Sequence, residues 1–167
     1  MTILGVDPGA GTTGYGVVGR AGRGAVCLLE CGVIRTDPRD PLARRLREIF
    51  EGVTEVLARH APDAVAVEGV FYGRNVRSTV VLGHARAAVL LAASMRDLPV
   101  VEYSPAEVKN AIAGTGRATK EQIQYMVQQL LRLKEAPRPA DAADAVAVAL
   151  CHCNAGALTA RLLASAR

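Results

Sequence analysis

The sequence predicts an α/β fold: a five-stranded mixed sheet flanked by helices on both faces. Three observations predict it. The runs 2–7 and 64–68 are short and apolar with no polar alternation, as in strands covered on both sides. The first three strand-like segments follow one another with only turns between them, which makes a hairpin meander. From residue 40 onward, helical spacing alternates with short apolar runs, as right-handed crossover connections require. The predicted order is β-β-β-α-β-α-β-α-α-α.

Each element has its own local reason. Residues 2–7 are apolar and end on a carboxylate, and Asp7-Pro8-Gly9-Ala10-Gly11 is a turn by composition. Gly14 to Val18 and Ala25 to Thr36 are the second and third strands, with Gly22-Arg23-Gly24 as the hairpin between them. Asp40-Pro41 reads as an N-cap followed by proline at the first helical position. Leu42, Leu46, Ile49, Phe50, Val53, Val56 and Leu57 then recur at helical spacing to about Arg59. Pro62-Asp63 stops the chain before the central strand Ala64-Val65-Ala66-Val67-Glu68, which also ends on an acid. Residues 78–96 form a long helix, apolar around much of its circumference. Pro99 to Tyr103 is the fifth strand. Ser104-Pro105-Ala106-Glu107 and Thr119-Lys120-Glu121-Gln122 are capping boxes that open two further helices. Past Ala136-Pro137-Arg138-Pro139, a last helix runs from about Ala140 to Ala155. Residues 1–155 form a single domain on this reading, and the tail 156–167 carries no assigned element.

Composition narrows the function classes. The 167 residues are 50% apolar and 22% charged, a balance that excludes a disordered chain. Aromatics are scarce at 4%, so the core must be built from Val, Leu, Ile and Ala, and any exposed aromatic draws interest. Lys and Arg exceed Asp and Glu by 20 to 16, and 17 of the cations are Arg. Arginine suits bidentate phosphate recognition, although a GC-rich genome produces the same bias. Cys27, Cys31, Cys151 and Cys153 form no CxxC pair, and Cys151-His152-Cys153 on a helix points its two thiols to nearly opposite sides. Buried thiols in a reducing compartment are the expectation. The N-terminus lacks the pattern of a signal peptide, and the apolar stretch in 87–95 is too short to span a bilayer. A cytoplasmic protein with no membrane partner is expected.

The chemistry-bearing pattern is acidic. Ligands of open α/β sheets gather beyond the carboxyl ends of the parallel strands, where Asp7 and Glu68 lie. Asp141-Ala142-Ala143-Asp144 places two more acids three residues apart, on one face of a helix and in its first turn. The rest of that helix is so apolar that it must be buried, which turns these acids toward the protein. Read singly, each is equally a solvated strand end or a helix cap. Together, four converging carboxylates repel unless cations compensate them. Hard divalent ions held through oxygen, Mg²⁺ or Mn²⁺, do so. Two such ions about 3.5–4 Å apart clamp the attacking and leaving oxygens of a phosphodiester. No His or Cys set has zinc spacing.

Three segments carry a resemblance: Ile3-Leu4-Gly5-Val6-Asp7-Pro8-Gly9 with Thr13-Gly14-Tyr15-Gly16, Val67-Glu68 with Val70-Phe71, and Asp141-Ala142-Ala143-Asp144-Ala145. Together they resemble the RuvC family of Holliday-junction resolvases over Met1 to about Cys153. The resemblance implies an RNase H-like fold, a homodimer, and paired incision of four-way DNA junctions dependent on Mg²⁺ or Mn²⁺, two ions per active site. It implies that Asp7, Glu68, Asp141 and Asp144 are the catalytic and metal-binding tetrad. It also suggests loading by the RuvAB branch-migration machinery. Gly69 departs from the family, where Gln commonly follows the Glu. Some members carry His at the first acid of the helix pair, whereas this chain has Asp141.

Six further residues are candidates for DNA contact. Phe71 would stack on an unpaired base at the junction centre or pack in the core. Arg74 and Arg77 follow within reach of a backbone. Lys109, Arg117 and Lys120 flank Gly114-Thr115-Gly116, a glycine turn feeding a helix N-terminus, where phosphate contact or plain surface charge are both open. Three rival readings remain: an ATPase of the actin or sugar-kinase type, a non-catalytic nucleic-acid scaffold, and a related nuclease acting on RNA or ordinary DNA ends. The first needs two domains about a cleft and has no role for Asp141 and Asp144. The second has no need of converging acids.

Overall fold

A computed structural model describes residues 1–20, 25–69 and 76–165, with side chains as far as residue 155. The elements are β1 (Thr2–Asp7), β2 (Thr12–Arg20), β3 (Val26–Arg35), α1 (Leu42–His60), β4 (Ala64–Glu68), α2 (Val76–Ser94), β5 (Val100–Tyr103), α3 (Pro105–Ala113), α4 (Lys120–Leu130) and α5 (Ala140–Ser165). The sheet order is β3-β2-β1-β4-β5. The meander β1-β2-β3 is antiparallel, and β1-β4 and β4-β5 are parallel, so the sheet is mixed as expected.

Strand alternation divides the core in two. Ile3, Val18, Ala64 and Ala66 face α3, α4 and α5. Leu4, Val6, Val17, Val65 and Val67 face α1 and α2. Because β1 and β4 are parallel and in register, the odd positions of β1 and the even positions of β4 share the α5 face. Asp7 and Glu68 close those two rows.

On that face the helix lies unusually close. A Cβ built on Gly5 would stand 2.2 Å from the Ala145 carbonyl oxygen, and one on Gly14 would stand 2.0 Å from that of Asp141. Only glycine permits this approach, and Gly14 is the register partner of Asp7. The N-terminal turn of α5 therefore presses on the strand pair beside Asp7.

Several local expectations need correction. Pro41, not Asp40, occupies the α1 cap, with no side-chain cap bond; Asp40 instead pairs with Arg44 one turn along. Both capping boxes form as read, at Ser104/Glu107 and Thr119/Gln122. The last helix continues to Ser165, past Ala155. Residues 156–165 contain no proline and six of the ten are Ala or Leu, so nothing local ends the helix there. Cys151 and Cys153 are buried, but Cys31 is half-buried and Cys27 exposed, because β3 is an edge strand. Helix α2 begins at Val76 and is long and apolar enough, by length and composition, to cross a membrane, unlike the shorter stretch read within it. It instead buries Ala85, Val89, Ala92 and Ala93 in the core under α1 and the sheet.

Candidate active site

The acids of three elements meet at the carboxyl end of the parallel strands. Carboxylate oxygens of Asp7, Asp141 and Asp144 all lie within 4.8 Å of one another. β1 ends at Asp7, and α5 supplies the other two from its first turns, where the helix N-terminus favours anions. Glu68, at the end of β4, stands beside Asp7 and lines the same cleft. All four sequence-predicted acids are thus brought together, each half-buried.

Their electrostatics are strongly perturbed. Burial, then the charges of Glu68 and Asp144, push the Asp7 carboxyl up to about 8. Burial and Asp144 also raise Glu68, while the hydrogen bond from Asp7, Lys120 and Lys109 oppose the shift. A set of this kind, all oxygen and short of positive charge, fits a hard divalent cation: three carboxylates can touch one ion, and a fourth stands behind Asp7.

The acids open into a cleft of about 390 Å³ lined by Asp7, Glu68, Asp144, Lys109, Lys120 and Ile123 among others. Lys120 Nζ donates to Asp144 Oδ2 at 3.2 Å. The Asp144 charge, with smaller contributions from Asp7 and Asp141, raises the Lys120 ammonium above its ordinary value. Lys120 stands at the helix start set by the Thr119 capping box, and Lys109 lies on α3, opened by the Ser104 box. Two motifs read only as helix starts therefore aim the cleft's two cations.

The remaining candidates separate. Arg77, on the first turn of α2, is exposed and lines a shallow recess with Ala10, Ser78, Val81 and Leu82. Arg117 is exposed on the α3–α4 turn and does not line the cleft. Phe71 and Arg74 lie outside the described residues, as does the Gly22-Arg23-Gly24 hairpin. Among the described residues, a Cβ added at Gly69 would meet nothing nearer than the Tyr103 carbonyl oxygen at 3.5 Å, an ordinary contact.

One contact midway along α5 has no counterpart in the sequence reading. Tyr103, register partner of Glu68, hydrogen-bonds His152 Nδ1 at 2.9 Å, and their rings meet edge to face. This ties β5 to α5. His152 stands two turns past Asp144 on the same helix face, the spacing that could have signalled it.

Comparisons with known proteins agree with this geometry. The family model "Crossover junction endodeoxyribonuclease RuvC" matches residues 3–152. A RuvC from Parafrankia sp. is 53% identical over 166 residues, covering 99% of this chain and 93% of the relative. One from Pelotomaculum thermopropionicum is 49% identical over 154 residues, covering 92% and 93%. The structure of Thermus thermophilus RuvC in complex with a Holliday junction substrate superposes with a TM-score of 0.89 at 43% identity, covering 95% of this chain and 96% of that one. With its RNase H-like sheet, its acids at the strand ends and a match that spans nearly its whole length, the chain belongs to the RuvC family of crossover junction endodeoxyribonucleases.

Proposed function

We propose that the protein resolves four-way DNA junctions by paired, symmetric incision, with residues 1–155 acting as one nuclease domain. The observation that carries this reading is the meeting of Asp7, Asp141 and Asp144 within 4.8 Å, with Glu68 beside them in the same cleft, in a chain of this family. The family implies a requirement for divalent metal. We assign Asp7, Glu68, Asp141 and Asp144 as the residues that would hold two Mg²⁺ or Mn²⁺ ions, which supply Lewis-acid stabilisation and an activated water when bound.

The chain's own residues do the rest. The parallel strand ends and the close-packed α5 hold the four carboxylates at one place without further reorganisation. Lys109 and Lys120 set positive charge on the cleft wall where a phosphodiester must enter. Lys120 is held against Asp144 by the same attraction that would let it face a scissile phosphate. Arg77 and Arg117, outside the cleft, suit contacts to flanking phosphates that position the strands. Phe71 and Arg74 follow Glu68 closely enough to reach the junction centre, with Phe71 stacking on an unpaired base. Gly69 stands where relatives carry Gln, so sequence preference around the cut should differ from theirs.

A junction offers two symmetry-related strands, which a twofold homodimer matches. Val76, Val80, His84, Ala87, Leu91 and Met95 form one exposed stripe along α2, with Val76 75% and Met95 68% exposed. Gly83 has open space around it, and the groove between α1 and α2 runs beside the stripe. This stripe is the proposed dimer contact. Loading by RuvAB and a cytoplasmic location follow from the same family reading.

Cleavage of a four-way junction, a linear duplex and an RNA hairpin, compared at equal metal, tests the substrate class. Junction-selective, paired nicks are expected. Equal cutting of duplex or RNA would favour the broader nuclease reading. In a forced heterodimer of wild type and Asp7→Asn, one nick per binding event is expected; full resolution would exclude the two-site dimer.

A further inference from the structure

Asp7 is held by the sheet on one side only. Its backbone pairs with Gly14 of β2, but the β1–β4 ladder stops one residue earlier, at Val6 and Val67. Asp7 nevertheless has to hold its carboxyl within 4.8 Å of those of Asp141 and Asp144, and the ladder fixes it from the β2 side alone. The segment Pro8–Gly11, which joins Asp7 to β2, is the other restraint.

That segment is gripped at successive residues from behind. Thr13, fully buried, donates its hydroxyl to the Gly9 carbonyl oxygen at 2.8 Å and accepts from the Gly9 amide at 3.3 Å. The Thr36 amide donates to the Gly11 carbonyl oxygen at 3.0 Å, and the Thr36 hydroxyl donates to that of Ala10. Arg45, from the first turns of α1, donates Nη2 to the same Ala10 oxygen at 2.6 Å and Nε to Thr36 Oγ1 at 3.1 Å. Thr36 is buried, so this oxygen cluster is screened from water.

Arg45 is used differently from its neighbours. Arg39 pairs with Asp37, Arg44 with Asp40 and Glu48, and Arg47 with Glu51. Among the described residues Arg45 makes no ion pair, although acids stand nearby; its guanidinium is committed to a carbonyl and a hydroxyl. A planar fork with several fixed donors is what locking two neighbouring oxygens requires, and lysine could not reproduce it.

We propose that Arg45 and Thr36 are positioning residues for strand incision: they clamp the Pro8–Gly11 segment and so fix the Asp7 carboxylate in its place beside Glu68, Asp141 and Asp144. The inference rests on the assignment of Asp7 as a metal ligand. Neither residue touches the reacting atoms; both act through the Ala10 carbonyl.

The test uses the full chain with Arg45→Ala, Arg45→Gln, Thr36→Val and Thr36→Ser, and with Arg44→Ala and Asp7→Asn as references. Three quantities are read: single-turnover junction cleavage, junction affinity in chelator, and Mn²⁺ binding to the DNA-free protein by electron paramagnetic resonance. Arg45→Ala and Thr36→Val should slow cleavage by about 10- to 100-fold, the scale of a misplaced catalytic group, and weaken Mn²⁺ binding several-fold. Junction affinity should stay within about twofold. Thr36→Ser keeps its hydroxyl donor for Ala10 and should recover most of the rate, whereas Arg45→Gln reaches only as far as Nε, loses the Nη2 bond to Ala10 and should recover little; Arg44→Ala should match wild type. Wild-type rates in both disruptive variants would overturn the proposal. So would a rate loss matched by weaker junction binding with a shallower salt dependence, which marks Arg45 as a phosphate contact. So would a loss that tracks the unfolded fraction while the folded protein binds Mn²⁺ normally. If Asp7→Asn itself cuts normally, the site assignment fails; if Asp7→Asn is inert while Arg45→Ala matches wild type, only the clamp fails.

Discussion

The two faces of the sheet are built from different residues for different ends. Toward α1 and α2 the sheet presents Leu4, Val6, Val17, Val65 and Val67, met by Ile49, Val53, Leu57 and Val89. Branched aliphatics bury the most apolar area per residue, roughly 1.5–3 kcal/mol for each side chain fully removed from water. Toward α5 it presents Gly5, Gly14, Ala64 and Ala66 beside Ile3 and Val18, met by backbone and by the alanines and valines of Asp141–Leu150. Alanine and glycine contribute little area but bring helix and sheet backbones together. Aspartate is a short side chain, so Asp141 and Asp144 reach Asp7 only because α5 lies that close. Both faces carry core, but only the α5 face also sets the distance between helix and sheet.

Substitutions should separate these roles. The largest effect is expected for Asp7→Asn, which should abolish cleavage while leaving junction binding intact or stronger, because a negative charge near phosphate is removed. Its metal-free melting temperature should rise, since a buried carboxyl among like charges is replaced by a neutral amide. Parallel gel-shift and cleavage assays with a thermal melt check both; residual cutting near the wild-type rate would remove Asp7 from the site.

Gly14→Ala comes next. Its methyl would collide with the Asp141 backbone oxygen, so the first turn of α5 must move, and cleavage should fall by roughly 100-fold for a displacement near 1 Å. Across the sheet, Leu57→Ala should cost about 2–5 kcal/mol of stability. Well below its melting temperature that variant should keep a cutting rate near wild type. If urea melts and cleavage rates showed Gly14→Ala and Leu57→Ala failing in the same way, the two faces would not differ in function.

The smallest expected effect lies at the sheet's margin, on Glu30. Arg59, His60 and Tyr15 all hydrogen-bond it, and Arg59 and His60 hold its carboxyl down at about 2. A carboxyl whose value is lowered on folding stabilises the protein above its unfolded value of 4.5, and that contribution is lost as pH falls from there toward 2. Glu30 and Arg59 are 30% and 47% exposed, so solvent screening reduces the contribution to about 1 kcal/mol. Stability measured against pH should therefore fall less steeply below 4.5 in Glu30→Gln. A profile parallel to wild type would show that the cluster carries no linked proton.

Much of this was legible before any coordinates. Asp7 and Glu68 end uninterrupted apolar runs, and Asp141 and Asp144 share a helix face, so period and spacing alone put three rigid elements behind four acids. The capping boxes at Ser104 and Thr119 read correctly because a cap is a contact within four residues. Asp40 misled because its carboxylate had a better partner, Arg44, one turn away. Lys120 was legible as a cation near a glycine turn, but its bond to Asp144 joins α4 to α5 and has no local signature.

The sequence by itself determined the element order, the mixed sheet and the identity of the acids, because these depend on periodicities of a few residues and on side-chain chemistry. Tertiary structure alone decided which acids touch, which cations face them and what braces them. The meeting of Asp7 with Asp144, the aim of Lys109 and Lys120 into one cleft, and the grip of Arg45 on the Ala10 carbonyl join residues far apart in the chain. The physical reason is the separation between helix and sheet. It is set by glycines whose missing side chains leave no mark in a hydrophobic pattern and matter only when another backbone comes to rest against them.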